Sequence, residues 1–119
     1  MKGVYNLEKI SRKEGEKIIK KQGYVYLVGW SSPFDAWGEY WVKGNECVFI
    51  HCNSRANTDC SLMFKFSDPV SLANYIYSAE KGTLPFSKIA EAVKEVFGVD
   101  VSMSTTNKAI KLLFGEASE

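Results

Sequence analysis

One histidine, three prolines and three cysteines are all that this 119-residue chain contains of those types, and each scarcity excludes something. Cys47, Cys52 and Cys60 make an odd set without the even framework of a disulfide-stapled secreted domain, so free thiols in a reducing cytoplasm are expected. Their spacing around His51, C-x3-H-C-x7-C, matches no structural zinc pattern. On a strand Cys47 and His51 share a face while Cys52 points the other way, which leaves Cys47 as the same-face thiol of the lone imidazole. The adjacent pair His51-Cys52 therefore cannot serve as base and nucleophile to one another. No glycine-rich phosphate loop, G-x-S-x-G or H-E-x-x-H motif is present either. The expectation is a protein that is not an enzyme and uses neither metal nor cofactor. Long apolar runs are also missing, none approaching the roughly 20 residues of a membrane span. The opening residues Met1-Lys2-Gly3-Val4-Tyr5 lack the apolar core of a signal peptide, and Gly3 is misplaced for myristoylation, so a cytoplasmic protein is expected.

A large charge of one sign is lacking too. The net charge is +1, which excludes both a strongly acidic nucleic-acid mimic and a strongly basic binder. The distribution is nevertheless uneven. Lys2, Lys9, Arg12, Lys13, Lys17, Lys20 and Lys21 face only Glu8, Glu14 and Glu16 through Tyr24, and the remainder is mildly acidic.

What is present is ordinary globular material: 45% hydrophobic and 24% charged residues, with 13% aromatics. The length suits a single domain over residues 1–119. Ser11-Arg12-Lys13-Glu14 reads as a capping box opening a helix over 12–22 that stops at Gly23, with Gly15 as a close-approach point. An antiparallel sheet is expected over 24–66. Tyr24–Val28 is its first strand, and Gly29–Gly38 is read as a long connection. Glu39–Lys43 and Glu46–Cys52 flank Gly44-Asn45, a two-residue turn with primed-hairpin chemistry. That turn pairs Lys43 with Glu46, Val42 with Cys47, Trp41 with Val48 and Tyr40 with Phe49. Ser61–Phe66 alternates as a fourth strand.

A helical part follows over 69–115. Asp68 caps a helix with Pro69 at N1 that runs to Lys81 before Gly82. Ser87 caps a second, with Ile89, Val93 and Val96 inward and Gly98 after it; Ser104 caps a third. Strands first and helices last point to an α+β fold. It has an N-terminal helix, a three- to four-stranded antiparallel sheet, and two to three C-terminal helices packed on that sheet.

Two sets of residues are candidates for function. The stretch Gly29–Trp41 holds all three tryptophans plus Phe34 and Tyr40. Aromatics on a connection make strong contact anchors, so Trp30, Phe34, Trp37, Tyr40 and Trp41 are the candidate partner-binding residues. The alternative for this stretch is a mini-core covering the sheet edge. The second set is electrostatic: Arg12, Lys13, Lys17, Lys20 and Lys21 on the first helix, with Thr105, Lys108 and Lys111 on a helix-turn-helix-like C-terminal pair, are the candidate nucleic-acid contacts.

Ile10-Ser11-Arg12-Lys13-Glu14 and Ile18-Ile19-Lys20-Lys21-Gln22-Gly23-Tyr24 resemble the opening helix and strand of HicA-type toxins, a small double-stranded-RNA-binding-like fold. The resemblance implies an α-β-β-β start. The Gly-Ser-His-His-type segment that carries that family's catalysis is absent, the tryptophan-rich stretch standing in its place, so ribonuclease activity is not implied.

These readings converge on a non-enzymatic protein-binding module, a small regulator or inhibitor of the kind phages and mobile elements encode, acting on a larger partner through its aromatic segment. A nucleic-acid-binding domain is the alternative; a homodimer is compatible with either.

Overall fold

The computed structural model describes residues 3–32, 36–53, 58–80 and 83–101. The chain is α+β, with a five-stranded antiparallel sheet and, among the described residues, three helices. It divides into two compact units, Tyr5–Lys65 and Met1–Val4 with Phe66–Glu119.

The first unit is built on strands β1 (Val4–Ile10), β2 (Val25–Ser32), β3 (Ala36–Lys43), β4 (Glu46–Asn53) and β5 (Thr58–Phe66), with helix α1 (Arg12–Gln22) between β1 and β2. The order across the sheet is β1-β5-β4-β3-β2, so the strands on either side of α1 lie at opposite edges. Four strand spacings amount to roughly 19 Å, and the 11 residues of α1 cover about 16 Å. The helix therefore carries the chain most of the way across the sheet, and the flanking residues Ser11, Gly23 and Tyr24 make up the rest.

Its ends are those the sequence predicts. The Ser11 side chain accepts from the Glu14 amide at 3.1 Å. Gly23 closes the helix in the left-handed region at φ 71°. Gly15 faces the buried Ser61, and a Cβ at Gly15 would stand 2.5 Å from the serine Oγ and 2.9 Å from its Cβ. The expected close approach is thus real, and it lets Ile19 join Tyr24, Val48 and Ile50 in one buried cluster.

The Gly44-Asn45 turn sets the expected register: Lys43 opposite Glu46, Val42 opposite Cys47, Trp41 opposite Val48, Tyr40 opposite Phe49. Only Gly44 takes a positive φ, 61°, the pattern of a type II′ turn with glycine at its first central position.

Several expectations are corrected. The sheet has a fifth strand, β1, which sequence patterning misses because five of its seven residues are exposed and no apolar alternation marks it. The α-β-β-β start implied by the toxin resemblance is therefore preceded by a strand. The long connection over Gly29–Gly38 is mostly sheet: β2 continues to Ser32 and β3 begins at Ala36, the two pairing from Val25↔Val42 to Ser32↔Ala36. Cross-strand pairing, absent from any local pattern, holds these glycine- and serine-bearing residues extended.

Both sheet edges are interrupted. An irregularity between Tyr26 and Val28 leaves Leu27 unopposed on β2, and Asn6 in β1 takes a positive φ of 55°. Such irregularities work against edge-to-edge pairing with another chain.

In the second unit, helices α2 (Pro69–Ala79) and α3 (Phe86–Phe97) bury Leu72, Ile76, Leu84, Ile89 and Val93 completely or nearly so. Asp68 caps α2 as expected, its carboxylate accepting from the Ser71 amide at 2.8 Å. That helix ends at Ala79 with Glu80 as its cap; the expected closing residues Lys81 and Gly82 lie outside the described residues. Ser87 does not cap α3. Pro85 occupies the N-cap without a side-chain hydrogen bond and Ser87 lies inside the helix, because Phe86 is already drawn into the buried set. Gly98 closes α3 at φ 71°. The expected third helix, from Ser104, lies outside the described residues. No helix among the described residues is long and apolar enough to cross a membrane.

Two stability predictions follow from the α1 seat. Gly15→Ala gains about 1 kcal/mol of helix propensity but overpacks against a serine Cβ that cannot rotate away, a cost of about 1–3 kcal/mol. A net loss near 1 kcal/mol is expected in urea denaturation, and in a Ser61→Gly background the same substitution becomes stabilising. The second concerns Tyr24, whose phenol donates to Glu46 Oε1 at 3.0 Å. Burial first, then that hydrogen bond and the carboxylate's charge, push its pKa from 10.0 up to about 12. The folded chain holds this proton more tightly than the unfolded chain. The contribution is therefore intact below pH 10 and lost as pH rises toward 12. Tyr24→Phe should flatten that part of the stability–pH profile, read as the difference from the unsubstituted chain.

Candidate binding groove

Strand alternation distributes the tryptophan-rich stretch between the two faces of the sheet. Trp37, Glu39 and Trp41 occupy alternate positions of β3 and share the face on which α1 lies. On α1, Lys13, Glu16, Lys17 and Lys20 recur at i, i+3, i+4 and i+7, one stripe of the helix. The two rows meet across a groove of about 550 Å³, completed by Ile19 and Ile50. Trp37 and Trp41, from the aromatic candidates, thus share one site with Lys13, Lys17 and Lys20, from the electrostatic candidates.

The polar groups of this groove are unequally engaged. Glu16 accepts from Arg12 Nη1 at 2.9 Å, a partly exposed i,i+4 ion pair. Glu39 Oε1 accepts from the Trp41 indole N–H at 3.0 Å. The Trp41 ring is also met edge-on by Tyr26, centroids 5.5 Å apart. Partial desolvation, and then the charge of Glu39, push the Tyr26 phenol up from its ordinary value. By contrast, the side chains of Lys13, Lys17 and Lys20 make no ion pair or hydrogen bond among the described residues. The groove therefore offers half-buried indole rings on a fixed floor and three uncommitted cations along one wall.

The other candidates do not gather there. Tyr40 is a core residue, 1% exposed and stacked on Phe49 with centroids 4.5 Å apart, which removes it from any contact surface. Trp30 belongs to the opposite face of the sheet. It crosses over Gly38, where a Cβ would stand 2.8 Å from the indole nitrogen, and it neighbours His51 at 6.1 Å. Arg12 is taken by Glu16, and Lys21 is exposed on α1 outside the groove. Phe34, Thr105, Lys108 and Lys111 lie outside the described residues.

His51 has a different thiol neighbour from the one expected. Cys60, directly opposite on β5, brings its Sγ to 3.9 Å from Nδ1. Cys47 is fully buried, and burial pushes its thiol pKa well up. Cross-strand pairing, invisible to spacing along one strand, decides this neighbour. All three cysteines are free.

Sequence reading also misses Glu39, Glu16, Ile19 and Ile50 as site residues. The signal for the first was available: Trp37-x-Glu39-x-Trp41 has the period of one strand face, hidden by reading Gly29–Gly38 as loop.

No family model, curated protein or solved structure matches this chain. Fold and groove alone define its class, an α+β chain with a five-stranded antiparallel sheet and a helix-walled cleft on it.

The division between core and groove aromatics has a measurable consequence. Tyr40→Ala should cost about 3–5 kcal/mol in urea denaturation, as large buried aromatics do. Trp37→Ala, at a half-buried position, should cost less than half of that.

Proposed function

We propose that this chain is a non-enzymatic protein-binding module whose contact site is the groove between α1 and β3. The observation that carries this reading is the convergence of Trp37 and Trp41 with the row Lys13, Lys17 and Lys20 around one cleft. Half-buried indoles on a hydrogen-bonded strand are already ordered, so a partner gains large apolar contact at little entropic cost. The module acts by occupying or recruiting a larger partner, as a small regulator or inhibitor does. Three free thiols are in keeping with a cytoplasmic setting.

A second reading, single-stranded nucleic acid, draws on the same lysines as phosphate contacts and on the indoles as stacking platforms. The net charge of +1 and the two carboxylates in the groove favour the protein.

Capture from a lysate of the source cells tests the first reading, with the native chain and Trp37→Ala/Trp41→Ala as paired baits. A partner held by the native chain should be lost from the double variant, a drop of about 30-fold or more for hot-spot residues. Retention of that partner by a correctly folded double variant would exclude the groove. A gel shift on mixed DNA and RNA addresses the second reading, which requires a shift that weakens with salt.

A further inference from the structure

The groove's own chemistry narrows what can fill it, and we infer that its occupant is an acidic segment of a protein, two or three carboxylates beside an aromatic or aliphatic side chain. This inference rests on the groove being the contact site. Its floor and its wall make different demands. On the floor, Trp37, Glu39, Trp41 and Ile50 present apolar surface around one carboxylate, so whatever faces them must be neutral and largely apolar. A second anion laid beside Glu39 meets like-charge repulsion.

The wall is the reverse. Lys13, Lys17 and Lys20 lie on one helix stripe over seven residues, a row of about 10 Å at the helical rise. No carboxylate among the described residues neutralises them. Glu16, the acid on the same stripe, is already matched by Arg12 at 2.9 Å. Three cations in a row on a groove edge, without an ion-pair partner among the described residues, complement two or three carboxylates of a partner chain.

A nucleic-acid strand meets the wall's demand but not the whole site's. It carries a charge at every nucleotide, and proteins that live on such contacts surround them with excess positive charge. Among the described residues the groove holds two carboxylates against three lysines, within a chain of net charge +1. A peptide can place charge only where the lysines are and leave the rest apolar.

The test uses two random pools against the full chain: a displayed dodecapeptide library and single-stranded oligonucleotides, both at about 150 mM salt, where exposed charges are partly screened. Selected peptides should be enriched in Asp and Glu next to Phe, Tyr, Trp or Leu. A synthetic copy of the best one should change the intrinsic tryptophan fluorescence. Its affinity should fall roughly tenfold or more in Lys13→Glu/Lys17→Glu/Lys20→Glu, and also in Trp37→Ala, with circular dichroism unchanged. Neutral or basic selected peptides, no enrichment at all, or an oligonucleotide pool retained in preference to peptides would each overturn the inference.

The groove reading fails separately. If the captured natural partner is lost with Trp37→Ala/Trp41→Ala yet survives the triple lysine reversal, the groove stands and the acidic occupant falls. If neither variant affects that partner, both fall.

Discussion

The seat of α1 on the sheet is the constraint on which the rest of the first unit depends, and it is set by two small residues. Gly15 has no Cβ and Ser61 has only one further heavy atom, so helix and sheet approach more closely there than any larger pair allows. That contact fixes one side of the helix against β4 and β5. Ile19 then closes on Val48 and Ile50. Its opposite flank, with Lys13, Lys17 and Lys20, is left standing over β3, where larger side chains keep the two elements apart. The groove is the open side of a contact pinched shut at the other. Among the described residues the buried hydroxyl of Ser61 has no hydrogen-bond partner. Small size is what this position requires, since the Gly15 backbone stands directly against it.

The sheet performs a sorting step that the helix cannot. Alternation along β3 sends Tyr40 and Val42 into buried surroundings and Trp37, Glu39 and Trp41 to the α1 side. A segment in which aromatics crowd together thereby supplies both core and contact surface, with one residue of offset between the two roles. Glu39 also bridges them chemically. It holds the Trp41 indole N–H and adds negative charge near the Tyr26 phenol, giving the floor of the groove a polarity distinct from its lysine wall.

Wherever the controlling chemistry is local, the elements could be read before any coordinates. Ser11 and Asp68 accept from amides three residues on, Gly23 and Gly98 adopt the left-handed conformation, and Gly44 turns the hairpin into its expected register. Each depends on a side chain or a φ angle within a few residues. The misses are of another kind. β1 is a strand because β5 offers it a ladder, not because Val4–Ile10 alternates. Ser87 is not a cap because Phe86 next to it is buried. Ser32 and Ala36 close a second hairpin that neither flanking composition announces.

The site divides along the same line. The amino-acid sequence by itself determined the two ingredients, a lysine stripe at helical spacing and tryptophans four residues apart, since both are periodicities of a single element. It also determined the Gly44-Asn45 hairpin from which one tryptophan strand is hung. Only tertiary structure decided that stripe and tryptophans face each other, that Tyr40 belongs to the core and Trp30 to the opposite face, and that Cys60 rather than Cys47 lies beside His51. Those outcomes are set by strand register and by how closely a helix can approach a sheet. Both are properties of residues far apart along the chain, to which no local pattern has access.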